Sequence, residues 1–147
     1  MAELFGPRYK DMQAPLAARC RELGLALNAP DVLSNSRLAV EAAEFAREAG
    51  KHGVFHRAVL AAYFAHGQDI GDVAVLRGVA AEVVLDQEAL ARVLTAGSYA
   101  EQRMAAEREA HSRGVNAVPT FLFDDGARVV GAQPLEYFRR LFAAMLA

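Results

Sequence analysis

Three observations predict a mainly α fold that finishes in a β-hairpin and one last helix. Of the 147 residues, 31 are alanine, so the 54% hydrophobic content comes mainly from the best helix former and not from β-branched bulk. Apolar residues recur at helical spacing as far as about residue 112, with a glycine or a capping residue at each break. After Gly114 the pattern changes to short alternating runs around an Asp-Gly pair.

The elements follow in order. Met12, Leu16, Ala17, Cys20 and Leu23 predict a helix from Arg8 to Leu23, with Pro15 as a break point and Gly24 as its stop. Asn28, Pro30, Asp31, Ser34 and Asn35 make the next stretch a connector, apart from a short extended piece at Leu25–Leu27. Ser34 or Asn35 is expected to cap a helix Ser36–Ala49, whose apolar stripe is Leu38, Ala42, Phe45 and Ala49; Glu41, Glu44, Arg47 and Glu48 are expected mostly on the rest of the circumference. Val54–Ala65 is apolar on nearly every side, which predicts a helix inside the cluster, ended by Gly67. Asp72 is expected to cap Val73–Val84 and Asp86 to cap Gln87–Ala96, and a more charged helix, Ala100–Ser112, closes at Gly114. Thr120–Asp124 and Arg128–Val130 read as two strands joined by a tight turn at Asp125-Gly126, and Pro134 opens a helix through Leu146. The expected organisation is a helical bundle over 1–113 and a ββα segment over 114–147, forming one compact unit.

Composition excludes several functions. Sixteen bases against eighteen acids give a net charge of −2, too balanced for a surface devoted to nucleic acid or anionic lipid. No run approaches the roughly 18 apolar residues of a membrane span, and the first residues lack the apolar core of a signal peptide, so a cytoplasmic location is expected. The single cysteine, Cys20, permits no intramolecular disulfide and no Cys-x-x-Cys redox pair.

Candidate chemical groups are weighed against plainer roles. Cys20 lies near a helix C-terminus, where the macrodipole disfavours a thiolate, so a buried structural cysteine is expected despite its neighbours Arg19 and Arg21. His52 and His56 share a helix face by spacing and His66 follows, yet no acid lies between the pair, and capping or exposed roles are expected over metal binding. Ser34, Ser36, Ser98 and Ser112 stand in helix-end contexts with no nucleophile elbow or triad signature. The run Glu101–Arg113 reads as a solvated, ion-paired helix face. The hairpin is the open question, because two strands alone are marginal in water and Phe121, Phe123, Val129 and Val130 need cover. Phe121 and Phe123 share one face and Leu122 takes the other, as in an inner strand whose neighbour comes from elsewhere.

The stretch Gly114-Val115-Asn116-Ala117-Val118-Pro119-Thr120-Phe121 resembles the loop and strand that carry the cis-proline in thioredoxin-fold proteins of the DsbA superfamily. Gly131-Ala132-Gln133-Pro134, Asn35-Ser36, Ala62-Tyr63-Phe64 and Asp69-Ile70-Gly71-Asp72 resemble its FrnE-like branch, with Val40 and Val84 departing from the residues usual there. The resemblance spans roughly residues 10–147 and implies a DsbA-like helical insertion followed by the C-terminal hairpin and helix of a thioredoxin fold, without the family's β-α-β opening and its Cys-x-x-Cys. It implies a thiol–disulfide oxidoreductase, with Val118, Pro119 and Thr120 where the family receives peptide or glutathione. On sequence alone a trans Val118-Pro119 bond is favoured; the family context favours cis. No cofactor is expected. A homodimer or a partner chain completing the sheet is expected, and activity alone is not, for want of the dithiol. The alternatives are a non-catalytic dimeric interaction module, a glutathione-dependent isomerase or transferase relative, and a fragment whose partner carries the opening.

Overall fold

The structure, a computed structural model, describes residues 8–28 and 33–146, with side chains from residue 14 onward. The side chain of Met12, and Pro30 and Asp31 of the expected connector, lie outside the described residues. The fold is mainly helical. The described helices are α1 (Arg8–Glu22), α2 (Arg37–Glu48), α3 (His52–Phe64), α4 (Val73–Glu82), α5 (Gln87–Ala96), α6 (Ala100–Ser112) and α7 (Leu135–Met145). Strands β1 (Thr120–Leu122) and β2 (Arg128–Val130) lie between α6 and α7. By contact the chain divides into two compact units, Met1–Arg103 and Met104–Ala147.

The core of the first unit is built by α2 to α5. Phe55, Leu76 and Leu90 are fully buried there, with Ala42, Ala46 and Ala80 at 0% exposure, so alanines let the helices approach closely around three large side chains. α1 runs on through Pro15. Leu25–Leu27, where an extended piece is expected, form no paired strand with the described residues, and the segment is tied down when the Asn28 N–H donates to the Phe64 carbonyl at 2.7 Å.

Helix ends follow the capping residues closely. Asp72 accepts from the Ala74 N–H at 2.8 Å, and Asp86 from the N–H groups of Glu88 and Ala89 at 3.0 and 2.9 Å. At α2 the expected cap is displaced: Ser36 is the N-cap with no side-chain bond, while the Asn35 side chain accepts from the Arg37 N–H at 3.2 Å. At their C-termini α1, α2, α3, α5 and α6 each end at a left-handed glycine, Gly24, Gly50, Gly67, Gly97 and Gly114. The end of α4 has the same geometry with a valine: Val84 has φ 57°, its N–H donates to Ala81 O at 3.0 Å, and the Leu85 N–H reaches Ala80 O at 2.8 Å. Lys51 Nζ donates to the carbonyls of Val83 and Val84 at 3.0 and 2.7 Å.

The structure adds to one expectation about faces and corrects another. Glu41 is buried, and its carboxylate accepts from Arg103 Nε at 3.1 Å. It belongs to a polar seam in which Gln102 donates to Glu44 at 2.7 Å and the Tyr99 hydroxyl to Glu48 at 2.8 Å. Residues 41, 44 and 48 recur at helical spacing, so one face of α2 is polar where it meets the start of α6. α3, in turn, is not enclosed. It buries Phe55, Val59 and Ala62 but leaves Val54, Leu60 and Phe64 at 42–44% exposure.

In the second unit β1 pairs antiparallel with β2, Thr120 opposite Val130, Phe121 opposite Val129 and Leu122 opposite Arg128. The first strand stops at Leu122, two residues before the expected end, because Asp124-Asp125-Gly126 form a three-residue loop. The Gly126 N–H donates to Phe123 O, the Phe123 N–H to Ala127 O, and Gly126 takes φ 84°. α7 covers one face of this hairpin: Phe138 meets Phe121 edge-on at 4.8 Å between ring centroids, and Phe142 meets Phe123 at 5.9 Å. Val129 is thereby buried.

Candidate functional site

The residues singled out at the head of β1 are held by a short set of bonds. The Val115 N–H donates to Ala110 O at 2.9 Å, and Arg128 of β2 donates to Gly114 O at 2.9 Å, which fixes where the loop leaves α6. The Thr120 hydroxyl donates to Ala117 O at 2.6 Å, and the Gly131 N–H to Pro119 O at 2.8 Å. Between these ties the Val118–Pro119 peptide bond is cis, and the Val118 side chain is 90% exposed.

The ladder decides which backbone groups stay free. Bonds at Phe123–Ala127 and at Gly131–Pro119 bracket Phe121–Val129 as the hydrogen-bonded pair between them. Alternation along an antiparallel pair then turns the N–H and C=O of Thr120 and Leu122 away from β2. The sheet has the order β1-β2, so this edge of β1 has no strand beside it among the described residues. On the face opposite α7, Leu122 and Val130 are 46% and 42% exposed. Val118, Pro119 and Thr120 thus begin an open strand edge flanked by apolar side chains.

The other candidates fall elsewhere. Cys20 lies in the last turn of α1, in the first unit, half-buried against a groove where full burial is expected. His52 stacks on His56, with ring centroids 5.7 Å apart, and its Nε2 lies 3.2 Å from the Arg47 guanidinium. Among the described residues no group of three or more His, Cys, Asp or Glu is placed to hold a metal. No described helix is long and apolar enough to cross a membrane.

The structure also joins two motifs through Asn35 and Gly71, which are 36 positions apart in the chain. A Cβ at Gly71 would stand 3.1 Å from the Asn35 carbonyl oxygen and 3.3 Å from its nitrogen, so Gly71 is where two backbones touch. Asp69 orders that turn by accepting from the Gly71 N–H at 2.9 Å. The Ser34 hydroxyl first, and the Gly71 N–H second, hold its carboxyl below the usual range.

A groove between α1 and α3 escaped the sequence reading, which placed the apolar residues of α3 inside the cluster and left Leu25–Leu27 in a connector. The available signal was the all-round apolarity of α3 together with Leu16 and Cys20, four residues apart on α1.

The DSBA-like thioredoxin domain family matches residues 2–143. The chain is 30% identical over 131 residues to the "Uncharacterized protein YwbO" of Bacillus subtilis (strain 168), covering 87% of this chain and 65% of that protein. The crystal structure of the "probable DsbA oxidoreductase SCO1869" from Streptomyces coelicolor superposes with a TM-score of 0.79 at 29% identity, covering 95% of this chain and 62% of that one. The chain therefore spans somewhat less than two thirds of the length of these relatives.

Proposed function

Because this chain belongs to the DSBA-like thioredoxin domain family, we propose that it serves thiol–disulfide exchange as a substrate-holding element and that it is redox-inactive alone. Val118, Pro119 and Thr120 receive an extended peptide segment or glutathione, which adds along β1 as a further strand. The observation that carries this reading is the open edge of β1, headed by a side chain that is 90% exposed. Main-chain groups of Thr120 and Leu122 supply affinity without demanding one sequence, and the apolar side chains of Val118 and Leu122 favour unfolded over folded substrates. A FrnE-like assignment, carried by Gly131–Pro134 with Asn35-Ser36, and a cytoplasmic setting are parts of the same proposal.

Exchange proceeds when a thiolate attacks one sulfur of a disulfide, giving a mixed disulfide that a second thiolate resolves. The 147 residues hold one cysteine, so this sequence supplies no resolving pair. Two assays separate the parts of the proposal. Insulin reduction by this chain should not exceed the dithiothreitol background; turnover above it would overturn redox inactivity. In amide NMR spectra, an unfolded cysteine-containing peptide or glutathione should shift Thr120 and Leu122, and Thr120→Pro should abolish those shifts; an unperturbed β1 would overturn the binding role.

A second reading, a homodimer joined along the same edge, is favoured by the edge of β1 that has no strand beside it among the described residues. Light scattering that gives one chain per particle at all concentrations would refute it.

A further inference from the structure

We propose that the groove between α1 and α3 binds a small amphiphile, an alkyl chain of medium length ending in a carboxylate. It holds about 590 Å³, within the roughly 300–1,000 Å³ of small-molecule sites. Leu16 and Cys20 line it from α1, Leu25 and Leu27 from the segment after α1, and Leu60 and Phe64 from α3. Leu16, Leu25, Leu60 and Phe64 are each 42–58% exposed although they line one concavity, an arrangement that water alone does not stabilise.

Among the described residues, one charged side chain lines this apolar trough. Arg57, one turn before Ala61 on α3, is the charged residue of the lining, and its guanidinium has no ion pair or hydrogen bond among the described residues. A cation beside an apolar channel selects on two counts: burial favours the alkyl tail, and Coulomb attraction favours an anionic head over a neutral or cationic one. The complementary ligand is therefore a fatty-acid-like carboxylate, and not a purely apolar molecule or a basic peptide.

Cys20 lies in the wall and is the sole cysteine, so its alkylation rate reports occupancy of the groove directly. The experiment follows N-ethylmaleimide labelling of the purified chain while octanoate, decanoate or decyltrimethylammonium is added below its micelle concentration, with circular dichroism showing that the helices persist. Decanoate should slow labelling saturably, and each methylene should tighten binding about fourfold, which puts octanoate about fifteenfold weaker. Decyltrimethylammonium should bind about tenfold more weakly than decanoate, and Arg57→Gln should bring the two together. Labelling indifferent to all three compounds would overturn the site, and equal protection by both head groups would overturn the role of Arg57. Protection that rises with protein concentration alone, alongside dimers in light scattering, would assign the groove to a second copy instead.

Discussion

Replacing Val84 by glycine should stabilise the first unit, although it removes three carbon atoms and adds no contact. Val84 sits at the left-handed position of the turn that ends α4, at φ 57°. That conformation costs an L-residue about 1–2 kcal/mol, and a β-branched side chain stands at the upper end of the range. The side chain is 81% exposed, so its loss forfeits little burial. Against the relief stands the extra freedom of glycine in the unfolded chain, about 0.5–1 kcal/mol. The difference is a gain of about 1 kcal/mol, or roughly 2–4 °C in the midpoint of thermal unfolding for a chain of this size. Lys51 bonds carbonyl oxygens, which the substitution retains. Thermal and urea unfolding of Val84→Gly beside Val84→Ala provides the test, since alanine trims the side chain but keeps a Cβ at positive φ. The reasoning predicts that most of the gain needs glycine. It is refuted if glycine stabilises no more than alanine, or if it lowers the midpoint.

Three further outcomes follow from particular contacts. Burial first, then the bond to Glu48 and the nearby Glu48 and Glu44 carboxylates, push the Tyr99 hydroxyl up to about 12. The folded chain therefore keeps a proton that the unfolded chain loses near pH 10, and roughly 2 kcal/mol of stability present below pH 10 should vanish by about pH 12; urea midpoints across that range should fall less steeply in Tyr99→Phe. Arg103→Ala leaves the Glu41 carboxylate buried without that partner and should cost about 3 kcal/mol in urea unfolding, with the double variant Glu41→Gln/Arg103→Ala recovering part of the loss. Gly71→Ala drives a methyl against the Asn35 backbone, which cannot rotate away as a side chain would, and should lower stability by about 1–2 kcal/mol; an unchanged midpoint would show that the two turns separate freely.

The elements were legible because their signals are local. Asp72, Asp86 and the stop glycines each act within a turn of their own helix, so the caps and most helix bounds could be read from neighbouring residues. Faces were harder. Glu41 looks like any surface acid until Arg103, 62 residues away, meets it, and no spacing within α2 announces that partner. The apolarity of α3 read as full burial, whereas Leu60, Ala61 and Phe64 line an open groove, because hydropathy records what a residue prefers and not whether the chain provides a cover. The cap at Ser36 was missed by one residue for a geometric reason: Asn35 reaches the Arg37 N–H from outside the helix. At the candidate site, the loop and strand could be located from Val118-Pro119, but which backbone groups face outward depends on ladder register, which the three-residue loop sets.

The polar seam has a consequence for the order of assembly. Its three bonds join residues 51, 58 and 62 positions apart, whereas the caps close within a few residues. A clasp between α2 and the start of α6 can form only after α3, α4 and α5 have brought its ends together, since the entropy of closing so long a loop must be met first. Its bonds then belong to the late side of the folding barrier. Substitutions at Glu41, Tyr99 or Arg103 should accordingly leave the refolding rate nearly unchanged and appear almost wholly as faster unfolding, which makes this seam a latch on the lifetime of the native bundle and not a guide to its formation.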